Sequence, residues 1–255
     1  MIEFTSRANA KILDETDKWK LVQVLRDIPM YVMKGDESVA PHLEHDGFWE
    51  SWITKWVLDH SGPGTVFWDI GANTGYYSLA AMSKGAMAIA FEPNPEYYEM
   101  MRATAEYHDS GFFFKIINKA LSDTDGVETL YLPKNLHGSA SLTEMHERWE
   151  VTPVQVETTT LSSYGVGAGR HIIKIDAEGA EEKIWRGAGD FFNKGFGTKI
   201  LMEYTPGAYS DSFLDELEDW SGGLKWINFD GQAEPIDKQR VRDQGDWIML
   251  LLEQK

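Results

Sequence analysis

Two glycines and an acid in the first half of the chain have the types and spacing of a nucleoside site. Gly71 and Gly75 follow the apolar run 66–70, and Glu92 lies 21 positions after Gly71 at the end of a second apolar run. Glycines after a strand let backbone approach a ligand, and an acid at this separation binds ribose hydroxyls. Taken singly, Asp69 could only cap the turn and Glu92 could be a solvated acid. Together, the residues predict a nucleoside-binding turn.

The turn lacks what phosphate-containing cofactors need. A dinucleotide fingerprint would have glycines in place of Asn73 and Tyr76, and the Gly-Lys-Ser or Gly-Lys-Thr end of a Walker loop is missing from the sequence. A cofactor with a ribose and no phosphate fits better, and S-adenosylmethionine is one. Glu92 would then hold its ribose, backbone near Gly71 its carboxylate, and Asp69 its ammonium group directly or through water.

Six segments resemble, in order, the FkbM-type S-adenosylmethionine-dependent methyltransferases: 69–75, 91–95, 120–123, 138–142, 159–161 and 173–181. Phe-Glu-Pro-Asn-Pro and Lys-Ile-Asp-Ala-Glu-Gly-Ala-Glu are the most specific of them. The likeness runs from about Val66 to Tyr204. It departs at Ser162, where the family usually has Asp. The resemblance implies O-methylation of a sugar, glycan or other secondary metabolite.

Polar residues at strand ends supply the candidate catalytic groups. Asp176 ends the buried-type strand 172–176, and Glu203 lies near the end of the strand 199–204. Ligands bind at the carboxyl ends of parallel strands, and alternation puts Lys174 on the same side as Asp176. We expect Asp176 to be the general base, with Glu203 or His137 as substitutes. Lys174 would set the charge of Asp176 or bind the acceptor oxygen.

The remaining predictions concern ligands of the site. Asp176, Glu178 and Glu203 could together hold Mg²⁺, which prefers oxygen ligands. The end of the third strand, including Ala120 and Leu121, is expected beside an adenine ring. The predicted cofactor-binding set is Asp69, Gly71, Asn73, Gly75, Glu92, Pro93, Ala120, Leu121 and Asp176.

The elements that carry these residues alternate between strand and helix patterns. Apolar runs near residues 66, 88, 112, 172, 199, 225 and 247 predict seven strands, with helices between several of them. This alternation predicts an α/β fold, and the resemblance to the FkbM-type enzymes implies a Rossmann-like class I methyltransferase with a seven-stranded, mostly parallel sheet and helices on both faces. About fifty residues before the fourth strand predict a β-rich insertion. We divide a single structural domain into an N-terminal extension with a helix packing on the core, 1–64, and the methyltransferase part, 65–255.

The N-terminal part is the least specific in its pattern. The segment 20–25 fits a strand or a helix, whereas 28–33 predicts a strand. Apolar residues recur from Phe48 to Val57 as on an amphipathic helix, which Gly62-Pro63-Gly64 ends. This helix precedes the first cofactor strand. Its beginning could therefore close over the site through Glu50, although a solvated helix face is the better interpretation.

Composition excludes several classes of function. The 255 residues carry a formal net charge of −17, which would repel a nucleic-acid backbone, and contain no cysteine for a disulfide or thiolate. No apolar run is long enough to span a membrane and the N-terminus lacks a signal-peptide pattern, so we expect a cytoplasmic protein without a membrane partner. A small-molecule or glycan acceptor is the expected partner, and the oligomeric state is open.

Two other classes of function stay open at this point. A nicotinamide-dependent oxidoreductase is disfavoured by Asn73 and Tyr76, which replace pyrophosphate-binding glycines. A non-catalytic nucleoside-binding module would keep Gly71 and Glu92 but would not need the acids at 176 and 203. Binding of reduced nicotinamide cofactor would test the first alternative, and turnover assays would test the second.

Overall fold

A computed structural model describes residues 10–109, 113–134, 137–143, 150–165, 167, 169–194 and 197–253. The N-terminal part forms a three-stranded antiparallel sheet followed by two helices. These elements are β1 (Ile12–Glu15), β2 (Trp19–Val24), β3 (Ile28–Met33), α1 (Ala40–His45) and α2 (Ser51–His60). The open choice for segment 20–25 is thus settled as a strand. Helix α2 begins later than the apolar stripe suggested, because Phe48 and Trp49 precede its first residue.

The first half of the central sheet follows as alternating strands and helices. Its elements are β4 (Thr65–Ile70), α3 (Tyr76–Met82), β5 (Met87–Phe91), α4 (Pro95–Tyr107) and β6 (Phe114–Ile117). Helix α4 starts as its sequence predicts: Asn94 Oδ1 accepts a hydrogen bond from the Glu96 amide, and Pro95 occupies the first helical position. The carboxyl ends of these strands lie at the edge of the sheet where ligands are expected.

The predicted β-rich insertion is confirmed as a separate small sheet. It consists of β7 (Ala120–Leu121), β8 (Gly126–Pro133) and β9 (Val151–Thr159). Strands β8 and β9 pair antiparallel over their length, and β7 pairs parallel with the end of β9. Between β8 and β9 lies a short 3-10 turn, His137–Ser139, which contains the candidate base His137.

The second half of the central sheet contains one more strand than predicted. Its elements are β10 (Arg170–Ile175), α5 (Glu181–Ala188), α6 (Phe191–Lys194), β11 (Lys199–Tyr204), α7 (Phe213–Ser221), β12 (Lys225–Ile227), β13 (Ala233–Pro235), α8 (Lys238–Arg242) and β14 (Ile248–Glu253). The exposed three-residue strand β13 adds an eighth strand at the edge. It lacks the apolar alternation that identified the other seven, so its pattern did not predict a strand.

The strand order is β13-β12-β14-β11-β10-β4-β5-β6. Strands β6, β5, β4, β10 and β11 are parallel, and β14 runs antiparallel between β11 and β12. This arrangement confirms the Rossmann-like class I methyltransferase fold. The order reverses between β4 and β10, and ligands of open α/β sheets bind at such a reversal.

Apolar side chains cover both faces of the sheet. Phe67, Ile172 and Leu201 pack in one buried cluster with α2 and α3, and their sequence neighbours Trp68 and Ile173 pack in another with α5 and α7. Strands that are buried on both faces produce the continuous apolar runs of the sequence. None of the helices in the described part of the chain is long and apolar enough to span a membrane.

Candidate active site

The turn after β4 brings bare backbone to the reversal point of the sheet. The amides of Gly71 and Ala72 both donate to the carbonyl of Phe91, at 3.1 and 3.0 Å, and so tie the turn to the end of β5. Gly71 has φ +75°, and a Cβ there would lie 1.9 Å from the carbonyl oxygen of Asp176. Position 71 therefore requires glycine for its backbone conformation and for its contact with the loop after β10.

Glu92 is 6% exposed at the end of β5. Its Oε2 accepts a hydrogen bond from the Asn73 amide at 2.7 Å, and its Oε1 accepts one from the Asn94 amide at 2.8 Å. Burial raises the pKa of Glu92 to about 7, against the lowering effect of these two hydrogen bonds. Each carboxylate oxygen keeps a second acceptor position. The carboxylate is therefore fixed in place and fits the two hydroxyl donors of a ribose.

A cavity opens beside Glu92, and we call it the Glu92 cavity. Seven residues of the predicted cofactor-binding set line it: Gly71, Asn73, Glu92, Pro93, Ala120, Leu121 and Asp176. Apolar side chains, including Phe91 and Leu130, form much of the remaining wall. A buried acid fixed beside apolar wall residues is the combination that a nucleoside site requires, and Asp176 and Glu178 add two further acids to the lining.

Asp69 and Gly75 are the two residues of that set that lie behind the cavity wall. Asp69 is fully buried, and its Oδ2 accepts hydrogen bonds from the amide and hydroxyl of Ser78, at 3.0 and 2.7 Å. Burial raises the pKa of Asp69 to about 6. A Cβ on Gly75 would lie 2.8 Å from the sulfur of Met101. Both residues thus fix the start of α3, and ligand binding by Asp69 stays a prediction.

A second cavity shares Gly71, Asn73 and Asp176 with the first. We call it the acidic cavity, because its ionisable lining groups are Glu50, Asp176, Glu178, Glu203 and Lys174, besides two tyrosines. Its aromatic wall consists of Trp49, Tyr76, Tyr77 and Trp247. The sequence-predicted trio of Lys174, Asp176 and Glu203 is therefore brought together, at the same junction as the Glu92 cavity.

Lys174 is buried beneath this cavity, with a side chain 2% exposed. Its Nζ lies 2.5 Å from Asp176 Oδ2 and 4.7 Å from the centre of the Tyr77 ring. Burial alone would lower the pKa of Lys174, but the carboxylates of Asp176, Asp69 and Glu50 outweigh it and raise the pKa. Lys174 therefore stays charged.

The pKa values of Asp176 and Glu203 are shifted in opposite directions. Burial acts to raise the pKa of Asp176, but the Lys174 ammonium and a hydrogen bond with Glu203 lower it overall. Burial, the charge of Asp176 and the hydrogen bond with Asp176 raise the pKa of Glu203. Asp176 is thus the ionised member and Glu203 the protonated donor. Because a carboxylate held ionised by a cation is a weak proton acceptor, this geometry disfavours Asp176 as the base.

Glu178 lines both cavities from the loop between β10 and α5. It has φ +52°, uncommon for a residue with a side chain. Burial raises its pKa to about 8, with further contributions from the charges of Asp176 and Glu181. Glu181 holds the loop, since its carboxylate accepts hydrogen bonds from the amides of Ala177 and Gly179 and from the Tyr209 hydroxyl, at 2.7, 2.9 and 2.8 Å. The neighbouring acids therefore divide between ligand-facing and structural roles.

Glu50 corrects the interpretation of α2 as a solvated helix face. The residue immediately precedes α2, and it lines the acidic cavity. Its Oε2 accepts a hydrogen bond from the Tyr77 hydroxyl at 2.6 Å. Sequence reasoning did not identify Tyr77, Trp49 or Trp247 as site residues. Tyr77 carried one usable signal, a polar-tipped aromatic residue two positions after the Gly75 turn.

The His137 prediction cannot be placed as a side chain, because that side chain lies outside the described residues. The backbone of its turn is close to the site: Gly138 lines both cavities, and Ser139 lines the acidic one. The Gly138 amide donates to Ser38 Oγ at 3.1 Å. The insertion and the N-terminal part thus meet above the junction of the cavities.

Nothing supports the Mg²⁺ prediction. Among the described ranges, no group of three or more His, Asp or Glu side chains has an arrangement that would hold a metal ion. One of the proposed ligands, Asp176, instead pairs with Lys174.

Comparisons with known proteins agree with this fold. The sequence matches the Methyltransferase FkbM domain over residues 69–251. The chain therefore belongs to the FkbM family of S-adenosylmethionine-dependent methyltransferases, as its motifs predicted. No curated protein matched the sequence.

Three solved structures illustrate the structural likeness. A Pyrococcus horikoshii protein assigned as a transferase is 10% identical with a TM-score of 0.50, over 94% of this chain and 72% of that one. The methyltransferase FkbM from Methylobacillus flagellatus is 14% identical with a TM-score of 0.42, over 76% and 43%. A Streptococcus mutans protein assigned as a methyltransferase, solved in complex with S-adenosylhomocysteine, is 8% identical with a TM-score of 0.46, over 79% and 95%. At these identities the likeness concerns the fold.

Proposed function

We propose that this methyltransferase transfers the methyl group of S-adenosylmethionine to a hydroxyl group of a small molecule, a sugar or glycan in particular. The observation that carries the proposal is the junction of two cavities at Gly71, Asn73 and Asp176. One cavity has the chemistry of a nucleoside site, and the other is lined by carboxylates and aromatic rings. An acceptor in the acidic cavity would meet the cofactor at this junction.

The residues of the Glu92 cavity fit the cofactor. Glu92 would hold the ribose hydroxyls, and Ala120 and Leu121 would contact the adenine. When bound, S-adenosylmethionine supplies an electrophilic methyl group on a positively charged sulfur. The chain contributes alignment of the two reactants and removal of the hydroxyl proton, both of which lower the barrier of a displacement.

The walls of the acidic cavity suit a polyhydroxylated acceptor. Its carboxylates accept hydrogen bonds from hydroxyl groups, and Trp49 and Trp247 offer flat apolar faces to the C–H side of a sugar ring. The buried Lys174–Asp176 pair would keep a fixed charge pattern beneath the acceptor. The chain has a formal net charge of −17, which makes nucleic acid a poor partner. A small-molecule acceptor and a cytoplasmic location remain parts of the proposal.

The test is incubation of the full chain with S-adenosylmethionine and a panel of sugars, glycans and other hydroxylated metabolites, followed by mass spectrometry for a gain of one methyl group. We expect methylated hydroxyl products. Exclusive methylation of amines or carbon atoms would contradict O-methylation. Calorimetry with S-adenosylmethionine and NAD tests the cofactor separately, and tight binding of NAD would revive the nicotinamide alternative. Cofactor binding without turnover on any acceptor would favour a non-catalytic module.

A further inference from the structure

The proposed O-methylation needs a group that takes the hydroxyl proton, and we propose that Glu50 is this general base, oriented by Tyr77. The inference rests on the proposed function. As the bond between the acceptor oxygen and the methyl carbon forms, the bond from sulfur to that carbon breaks and its electron pair stays on sulfur. The hydroxyl proton moves to the Glu50 carboxylate. The products are a methyl ether, a neutral thioether and a protonated Glu50.

The backbone of Glu50 directs its side chain to the cavity. Glu50 has φ 37° and ψ 72°, in the left-handed region, at the residue immediately before α2. Its side chain makes no capping hydrogen bond with the helix that it precedes. A residue with a side chain keeps such a conformation where its surroundings fix it, which is common at functional sites. The Glu50 side chain therefore does not cap the helix.

Tyr77 gives the carboxylate a defined orientation. The Tyr77 hydroxyl donates to Glu50 Oε2 at 2.6 Å, while Oε1 has no hydrogen-bond partner within the described part of the chain. Tyr77 itself is buried, and its ring lies over the Lys174 ammonium. A proton acceptor that lines a ligand cavity and has one oxygen held by a third group is the arrangement of oriented catalytic bases.

The other acids of the cavity lack this combination. Asp176 is paired with Lys174 at 2.5 Å, and burial and the charge of Asp176 keep Glu203 protonated by raising its pKa. The Glu178 carboxylate has no orienting hydrogen bond from the residues that the structure describes. Glu50 is thus the acid of this cavity that is both oriented and free of a direct cation partner among these residues.

The protonation state of Glu50 depends on groups from several elements. Burial raises its pKa to about 7, with Lys174 lowering it, Asp176 raising it and the Tyr77 hydrogen bond lowering it. The titratable groups that line the cavity with Glu50 are Tyr76 and Tyr77 from α3, Lys174 from β10, Asp176 and Glu178 from the following loop, and Glu203 from β11. A base with a pKa near the working pH is efficient.

The first experiment measures turnover of the full chain on an acceptor from the mass-spectrometric panel. We expect Glu50→Gln to lower kcat by about 10²-fold or more, the usual scale for a general base, with cofactor affinity little changed. The exposed Glu106→Gln, on the outer side of α4, is the matched control and should keep parental turnover. In the parent, kcat should rise with pH through a midpoint near 7. Tyr77→Phe should move this midpoint upward, because it removes a hydrogen bond that lowers the pKa of Glu50.

The second experiment does not need an acceptor. With ¹³C-labelled glutamate carboxyl groups, the Glu50 resonance is the one missing from Glu50→Gln, and its pH titration should have a midpoint near 7 that rises in Tyr77→Phe. Parental kcat in Glu50→Gln would overturn the proposal, and so would a Glu50 midpoint below about 5, close to a solvated glutamate. If the parent methylates no acceptor, the proposed function fails, whereas turnover in the parent that Glu50→Gln retains overturns the assignment of Glu50 alone.

Discussion

The two cavities are built in different ways. In the Glu92 cavity one carboxylate is fixed by two backbone amides, and the lining comes largely from the ends of neighbouring strands. In the acidic cavity, side chains from the N-terminal part, α3, β10 and β11 meet, and an ion pair and a tyrosine hydrogen bond fix several of them. Backbone geometry therefore specifies the cofactor side, and tertiary assembly specifies the acceptor side. Glu50 even lies outside the family-matched residues 69–251.

The largest expected effect comes from the turn that both cavities share. Gly71→Ala would place a Cβ 1.9 Å from the Asp176 carbonyl oxygen, at a φ of +75°. We expect the free energy of unfolding to fall by on the order of 4 kcal/mol or more, since two backbone segments must separate. Urea unfolding followed by circular dichroism measures this loss.

Gly35→Ala is the matched control for that change. Gly35 has a similar φ of +77° but nothing within 4 Å of the added Cβ. Its cost should be about 1 kcal/mol, from backbone conformation alone. Equal costs for the two substitutions would show that the contact between the turn and Asp176 does not hold the junction together.

Removing the buried charge should have the next largest effect, confined to the acidic side. Lys174→Met leaves Asp176 without its cation, and breaking a buried pair typically costs about 3–5 kcal/mol of unfolding free energy. Lys183→Met removes an exposed lysine that pairs with Glu128 and should cost under about 1 kcal/mol. Adding Asp176→Asn to Lys174→Met should restore part of the stability. A double variant that is less stable than Lys174→Met would contradict the pairing.

The difference between the two cavities also explains which features could be predicted from the sequence. The strand-turn-helix pattern around Gly71 and the separation to Glu92 depend on neighbouring elements, so periodicity and spacing predicted an α/β class and seven strands. The resemblance to the FkbM-type enzymes implied the methyltransferase fold. The short strand β13 was not predicted, because its three exposed residues carry no apolar pattern. Asp69 was assigned to the ligand because it precedes the turn. Its Oδ2 accepts hydrogen bonds from Ser78 and its Oδ1 has no hydrogen-bond partner among the described residues, so ligand binding by Asp69 stays a prediction.

The acceptor side could be only partly predicted. Strand ends brought Asp176 and Glu203 together, but whether a lysine or a second acid controls the pKa of Asp176 depends on distances that a sequence does not contain. The structure places Lys174 at 2.5 Å from Asp176 and so decides for the cation. The position of Glu50 in the acidic cavity depends on how the N-terminal part packs against the sheet. Glu50 precedes β10 by more than a hundred residues in the sequence.

A smaller and more selective effect is expected at the ribose acid. Glu92→Gln removes the charge that would accept two hydroxyl hydrogen bonds, and we expect the Kd for S-adenosylmethionine to rise by about 10- to 100-fold, or roughly 1.5–3 kcal/mol. Calorimetry measures this change. The exposed Glu96→Gln, in the first turn of α4, should bind like the parent. The ¹³C titration of Glu50 should not move in Glu92→Gln, and a shift would mean that the two cavities are electrostatically coupled.

The smallest effect is on stability and depends on pH. The pKa of Glu178 is about 8 in the folded chain against an ordinary 4.5, so the folded state holds a proton that the unfolded state has lost between these values. The stability that this proton contributes is complete below about pH 4.5 and is lost as the pH rises through about 8. Glu178→Gln removes that loss. We expect the free energy of unfolding of the variant, measured by urea denaturation, to match that of the parent at pH 5. At pH 8 it should exceed the parent's by on the order of 1–2 kcal/mol. A variant less stable than the parent at pH 8 would show that Glu178 is ionised and held by a favourable contact in the acidic cavity.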